Sequence, residues 1–174
     1  MSKTTIKATL RTIRDSLEAQ GNEAVRQGAK RFFKEEIRCY GLKTPQVTAL
    51  AKTQFKALAS LPKAEILVLC EELWRAGYME EDFIACSFAY ALRKQYAPED
   101  FATFERWVGS YVSNWAACDT LCNHTIGTFM ERYPAFLPEL ERWAASPNRW
   151  LRRAAAVTLI VPAKRGLFLR SEEH

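Results

Sequence analysis

Ser113-Asn114-Trp115-Ala116-Ala117-Cys118-Asp119-Thr120-Leu121-Cys122-Asn123-His124 reads as the opening of a helix capped by Ser113 or Asn114 and broken at Tyr133-Pro134. At roughly 100° per residue, Cys118, Cys122, Thr125 and Phe129 fall in one apolar stripe. Trp115 and Asp119 lie one turn apart beside that stripe, at the edge of the surface it would bury. An aromatic face and a carboxylate held there are placed as a site would be. One such pair proves no chemistry, so the surrounding chain must supply its context.

Outward from this stretch, apolar residues recur at three and four, Gly or Pro punctuates the pattern, and no strand periodicity appears. The spacing predicts a first helix over 4–19 with Ile6, Leu10, Ile13 and Leu17 on one face, ended by Gly21-Asn22. A second covers 23–37, with Ala24, Val25, Ala29, Phe32 and Phe33 inward and Lys30, Arg31 and Lys34 around them. In Tyr40-Gly41-Leu42-Lys43-Thr44-Pro45, Thr44 caps a third helix and Pro45 takes its first position; this helix runs to Leu61. Pro62 starts a fourth, stopped by Gly77. A fifth spans 80–96 with Phe83, Ile84, Ser87, Phe88 and Leu92 in register, and a sixth spans 98–111 with Phe101, Phe104, Trp107 and Val108. After the opening stretch, an eighth covers 138–145, and a ninth starts at Ser146-Pro147-Asn148 and runs to Ile160, where Pro162 ends it.

The chain is therefore all-α. Faint echoes, Glu71-Glu72-Leu73-Trp74, Glu105-Arg106-Trp107 and Glu141-Arg142-Trp143, suggest helical pairs stacked at a period of roughly 35 to 40 residues, the pattern of an α-solenoid of HEAT-like repeats in a right-handed superhelix. A compact helical bundle fits the periodicity nearly as well. With 174 residues, 48% of them hydrophobic, residues 1–174 are expected to form one domain around a sizeable core.

No run of about 18 apolar residues occurs and the N-terminus opens an amphipathic pattern, so a soluble, cytoplasmic, monomeric protein with no membrane contact is expected. Cys39, Cys70, Cys86, Cys118 and Cys122 are odd in number and fall in apolar helical patterns, so they read as reduced core thiols. Cys118 and Cys122 could both reach a metal, but His124 lies further round the helix and no second cluster completes a tetrahedral set; no metal or cofactor is expected. The net charge of +5 favours acidic partners. Between Ser146 and Arg170 stand Arg149, Arg152, Arg153, Lys164, Arg165 and Arg170 without one acidic residue. That clustering suits a phosphate-binding face, and equally a solvated helix face with a basic tail.

Three segments resemble the DNA alkylation repair family of AlkD-like, HEAT-repeat DNA glycosylases. They are Ala29-Lys30-Arg31-Phe32-Phe33 leading into Tyr40-Gly41-Leu42-Lys43-Thr44-Pro45, then Asn114-Trp115 with Asp119, and Asn148-Arg149-Trp150-Leu151-Arg152-Arg153-Ala154-Ala155. The resemblance spans about residues 25 to 165. It implies hydrolysis of the N-glycosidic bond of purines made cationic by alkylation at N3 or N7 in duplex DNA, on protein that joins the nucleoid when it binds. Members continue through further helical pairs, so a C-terminus truncated relative to the family is expected.

The resemblance assigns catalysis to Trp115, Asp119 and Arg153, and contacts with DNA to Lys30, Arg31, Phe32, Arg149, Arg152, Lys164 and Arg165. The chemistry is coherent. A cationic base leaves without protonation, so the enzyme has to stabilise an oxocarbenium-like sugar and direct a water. Asp119 would supply the anion, Trp115 a π face for the cationic sugar, and Arg153 a clamp on a flanking phosphate. Each assignment has a structural alternative. Asp119 and Arg153 are 34 residues apart, about one repeat, so they also fit a scaffolding ladder of buried ion pairs. Phe32 or Phe33 would face DNA or pack in the core, Trp150 fits the core better than a site, and Arg149 and Arg152 suit phosphates or plain solvation. The competing function is a non-catalytic HEAT-like module that binds nucleic acid or protein.

Overall fold

The computed structural model describes residues 3–58 and 60–168, and these are all-α. They group into two compact units, Met1–Gln95 and Tyr96–His174. Arg170 of the basic run lies outside the described residues.

The first unit holds α1 (Lys3–Gln20), α2 (Glu23–Phe32), α3 (Thr44–Leu58), α4 (Lys63–Ala76) and α5 (Met79–Ala91). Ile13 and Leu17 of α1 are fully buried, as are Leu73 and Trp74 at the end of α4. α5 packs against both α3 and α4, and α1 packs against α4. Gly77 ends α4 in the left-handed conformation (φ 68°), as its position predicts.

Several boundaries differ from the periodicity; α3, expected to run to Leu61, is Thr44–Leu58. α2 stops at Phe32 rather than at residue 37, because Phe33 turns extended and residues 38–42 run past the start of α5. α2 also buries none of its residues; of its expected inward face, Val25, Ala29 and Phe33 are half-buried, Ala24 is exposed, and Phe32 is 68% exposed. The start of α3 is closed not by Thr44 but by Gln46, whose side-chain oxygen accepts the Lys43 N–H at 3.0 Å. α5 ends at Ala91, followed by a 3-10 turn over Arg93–Gln95.

The start of α5 holds what the sequence concealed. Glu80, Glu81 and Asp82 are all buried. The Glu80 carboxylate accepts the backbone N–H groups of Tyr40, Gly41 and Leu42 at 3.0, 2.8 and 3.0 Å. Glu81 accepts two hydrogen bonds from the Arg14 Nε and one from Nη2, and the Tyr40 hydroxyl donates to it at 2.7 Å. Gly41 completes this corner: with φ 94°, a side chain there would be strained and its Cβ would lie 2.2 Å from the Asn22 carbonyl oxygen.

The second unit holds α6 (Asp100–Ser110), α7 (Trp115–Thr120), a π-helical segment (Leu121–Ile126), α8 (Gly127–Arg132), α9 (Leu137–Ala144), α10 (Arg149–Thr158) and α11 (Ile160–Lys164). Phe101 stacks on Trp143 (5.3 Å, 14°) and Phe129 (5.8 Å, 28°), and Phe104 meets Phe129 edge-on at 5.8 Å. These contacts tie α6, α8 and α9 together, and α10 packs on α6, α7 and α9. The three echoed tryptophans, Trp74, Trp107 and Trp143, are at most 1% exposed. Burying each contributes on the order of 4 to 6 kcal/mol.

Pro162 does not end the ninth predicted helix. The break comes earlier, at Leu159, and Pro162 sits in the first turn of α11, where its missing N–H leaves no helical hydrogen bond unmade. Gly127, at the exit from the π-helical segment, lets α8 approach the end of α10: a Cβ there would lie 3.1 Å from the Thr158 carbonyl oxygen.

Candidate active site

Asn114 builds the start of the site. Buried itself, it accepts the Ala117 N–H at 2.9 Å through Oδ1 and so fixes where α7 begins. From that start Cys118 and Cys122 point into the core, and Thr125 and Phe129 follow them, all fully buried. The π-helical segment adds a residue to the turn, so Ile126 and Met130 join the same buried face. Trp115 is 36% exposed and stands one turn before Asp119 at the edge of this face.

Opposite, Asn148 fixes α10. Its Oδ1 accepts the Trp150 N–H at 2.8 Å and its Nδ2 donates to the Gly109 carbonyl at 3.0 Å, so one side chain caps α10 and ties it to α6. Cys118 Sγ donates to the Trp150 carbonyl at 3.8 Å. With both helices placed, Arg153 reaches Asp119 with two parallel hydrogen bonds, Nε to Oδ1 at 2.6 Å and Nη2 to Oδ2 at 2.7 Å. The Asp119 side chain is 26% exposed and the Arg153 side chain 41%. The Asp119 hydrogen bonds raise the Arg153 pKa further above its ordinary value, against a smaller opposing effect of burial. The result is a half-open carboxylate with both oxygens held by a cation and an exposed indole one turn away.

The other candidates are in different states. Arg149 stacks over the Trp150 ring at 4.2 Å, and Trp150 is half-buried rather than in the core. Arg152 folds back: its Nη1 donates to the Ser146 and Pro147 carbonyls, both at 2.8 Å. Arg165 is paired with Glu131 at 3.0 Å, while Lys164 is exposed in the last turn of α11. Lys30, Arg31 and Phe32 belong to the other unit, at the exposed end of α2, where Arg31 Nε donates to the Gln27 carbonyl at 3.3 Å. Cys118, Cys122 and His124 do not assemble a metal site, since both thiols face the core and the imidazole is exposed.

The Asp119 pair also has relatives. Glu131–Arg165 repeats its spacing of 34 residues, and Glu105 pairs with Arg142 across 37 residues while accepting the Trp143 Nε1 hydrogen bond at 2.9 Å. Each joins two segments of the second unit 34 to 37 residues apart. These three ion pairs are half-exposed, whereas a scaffolding ladder is expected to be buried.

Among the described residues no helix is long and apolar enough to cross a membrane. No curated protein matches the chain. The model of a family described as DNA alkylation repair enzyme matches residues 13–173, which include α2, Trp115, Asp119 and Arg153, and the chain belongs to that family.

Proposed function

We propose that this protein is a DNA glycosylase that hydrolyses the N-glycosidic bond of cationic N3- or N7-alkylated purines in duplex DNA. Membership of a DNA alkylation repair enzyme family makes DNA its substrate and repair its role. The observation that carries the finer reading is the half-open Asp119 carboxylate with Trp115 one turn before it and Arg153 in bidentate contact. A DNA phosphate offers the Arg153 guanidinium the same planar, two-pronged partner that Asp119 gives it. When Arg153 moves to a phosphate, the Asp119 carboxylate is released to face the sugar. There its charge stabilises the oxocarbenium-like transition state and its oxygen orients the attacking water, while Trp115 covers the sugar with its π face. Arg149, Lys164, Lys30, Arg31 and Phe32 supply further contacts with the duplex.

The second reading, a non-catalytic HEAT-like scaffold, is favoured by the other ion pairs at repeat spacing, of which Asp119–Arg153 is then one more. Release of free 7-methylguanine or 3-methyladenine from alkylated duplex DNA separates them. Duplex binding without base release gives the scaffold reading.

A further inference from the structure

The first unit contains a cavity of about 660 Å³, within the range that holds small ligands. One wall is the segment from Ile37 to Tyr40, and it is built to stay in place. Glu80 holds the N–H of Tyr40 and of the two residues after it, Glu81 holds the Tyr40 hydroxyl, and the Arg38 carbonyl accepts the Met79 N–H at 2.9 Å. Tyr40 stacks on Tyr78 (4.4 Å, 23°), and the Arg38 guanidinium lies over Tyr78 at 4.3 Å, anchored through Nη1 to the Ala76 carbonyl at 3.2 Å. The pile therefore ends in a flat, fixed cation.

The charges lining the cavity are balanced: Arg26, Lys30 and Arg38 against Glu18, Glu35 and Glu36. A ligand of uniform charge meets as much repulsion as attraction. A ligand with an anionic end and an edge of hydrogen-bond donors matches both signs. Arg26 contributes charge more than contacts, because Nη1 holds Glu23 and Nη2 the Tyr40 carbonyl. Lys30 and Glu36 make no hydrogen bond or ion pair among the described residues. Burial and the nearby Glu80 push the Cys39 thiol upward, so it stays protonated and unreactive; the cavity is suited to binding.

We propose that this cavity binds a single nucleotide with a donor-bearing base edge, guanine above all. Its plane lies on the Arg38 guanidinium, its N1–H and amino group donate to the carboxylates around Glu36, and its phosphate pairs with Lys30. The nucleotide is either free or an unpaired one within a strand. The proposal does not depend on the glycosylase reading.

Calorimetric titration of the full chain with dGMP, dAMP and inorganic phosphate tests it. Adenine turns an acceptor, N1, toward the carboxylates where guanine turns a donor, so dGMP is expected to bind at least about tenfold tighter than dAMP or phosphate. Glu36→Gln should erase most of that preference, and Arg38→Lys, which keeps the charge but loses the plane, should weaken both nucleotides alike. Circular dichroism confirms that each variant folds. Phosphate or dAMP binding as tightly as dGMP, no binding at all, or dGMP binding unchanged in both folded variants would overturn the proposal. Displacement of dGMP by a duplex carrying one unpaired guanine, but not by a fully paired one, identifies the strand as the source; equal failure of both identifies the free nucleotide.

Discussion

Two sets of carboxylates in this protein are held in opposite ways. At the start of α5, Glu80 and Glu81 are fully buried and consumed: one by three backbone N–H groups, the other by Arg14 and the Tyr40 hydroxyl. In α7, Asp119 is held by a single side chain and remains partly open to solvent. Desolvated, fully partnered carboxylates fix a backbone and have no capacity left for a substrate. A half-exposed pair costs little to open. The α5 cluster therefore belongs to architecture, whereas the α7 carboxylate can change partners.

Asp119→Asn is the largest test of that contrast. If Asp119 acts as proposed, removing its charge should lower single-turnover base excision by about 10²- to 10³-fold. The ion pair is half-exposed, so its loss should cost no more than about 1 kcal/mol of stability, read as a small change in Tm. Glu131→Gln, which opens the neighbouring pair at the same spacing, should produce the same small change in Tm with no loss of excision. Equal excision by parent and Asp119→Asn would return Asp119 to the ladder. Glu80→Ala should show the reverse pattern. It strands three buried N–H donors and should destabilise the fold by about 3 kcal/mol or more in denaturant unfolding. A loss below about 1 kcal/mol would mean that water reaches the Tyr40–Leu42 corner.

The parts of this contrast legible in the sequence are the parts that depend on local spacing. The stripe through Cys118, Cys122, Thr125 and Phe129, the caps at Asn114 and Asn148, the stop at Gly77 and the echoed tryptophans follow from helical periodicity and backbone chemistry, which act over a few residues. The misses come from groups that meet across long stretches of chain. Acids at a helix start ordinarily face water and favour the helix dipole, so nothing in Glu80-Glu81-Asp82 announces burial; the cause is a loop 38 to 40 residues earlier that needs acceptors. The same contact ends α2 early and leaves Phe32 outside. The Arg152 fold-back depends on where the Ser146 and Pro147 carbonyls point, and charge counting does not reveal that.

That fold-back divides the basic run in two. Arg149→Ala should lower the slope of log affinity against log salt by up to about 1, the effect of losing one phosphate contact. Arg152→Ala should leave the slope unchanged and lower Tm slightly, since its guanidinium satisfies carbonyls of the protein itself. Filter binding or fluorescence anisotropy on duplex DNA across a salt series measures both. Equal slope changes would show that Arg152 leaves its carbonyls for DNA.

A last test concerns Asp82, the third acid of the α5 cluster. It is 2% exposed, and its pKa is raised well above the ordinary carboxylate range, first by burial and then by the charges of Glu81 and Glu80. A folded-state pKa above the unfolded value of about 3.9 means that the native protein binds this proton more tightly than the unfolded chain does. The stability contributed by the protonated group is therefore fully present below the unfolded pKa. It is lost as pH rises through the folded value, because the unfolded chain releases the proton first. Asp82→Asn keeps the shape of the neutral acid and removes the titration. The variant should match the parent in Tm near pH 4 and become progressively more stable than the parent toward neutral pH, with a flatter dependence of Tm on pH. Thermal unfolding of both proteins between about pH 4 and 8 gives the comparison. If the parent instead gains on the variant as pH rises, Asp82 is ionised and partnered in the folded state, and the whole α5 cluster, not only Glu80 and Glu81, carries charge into the core.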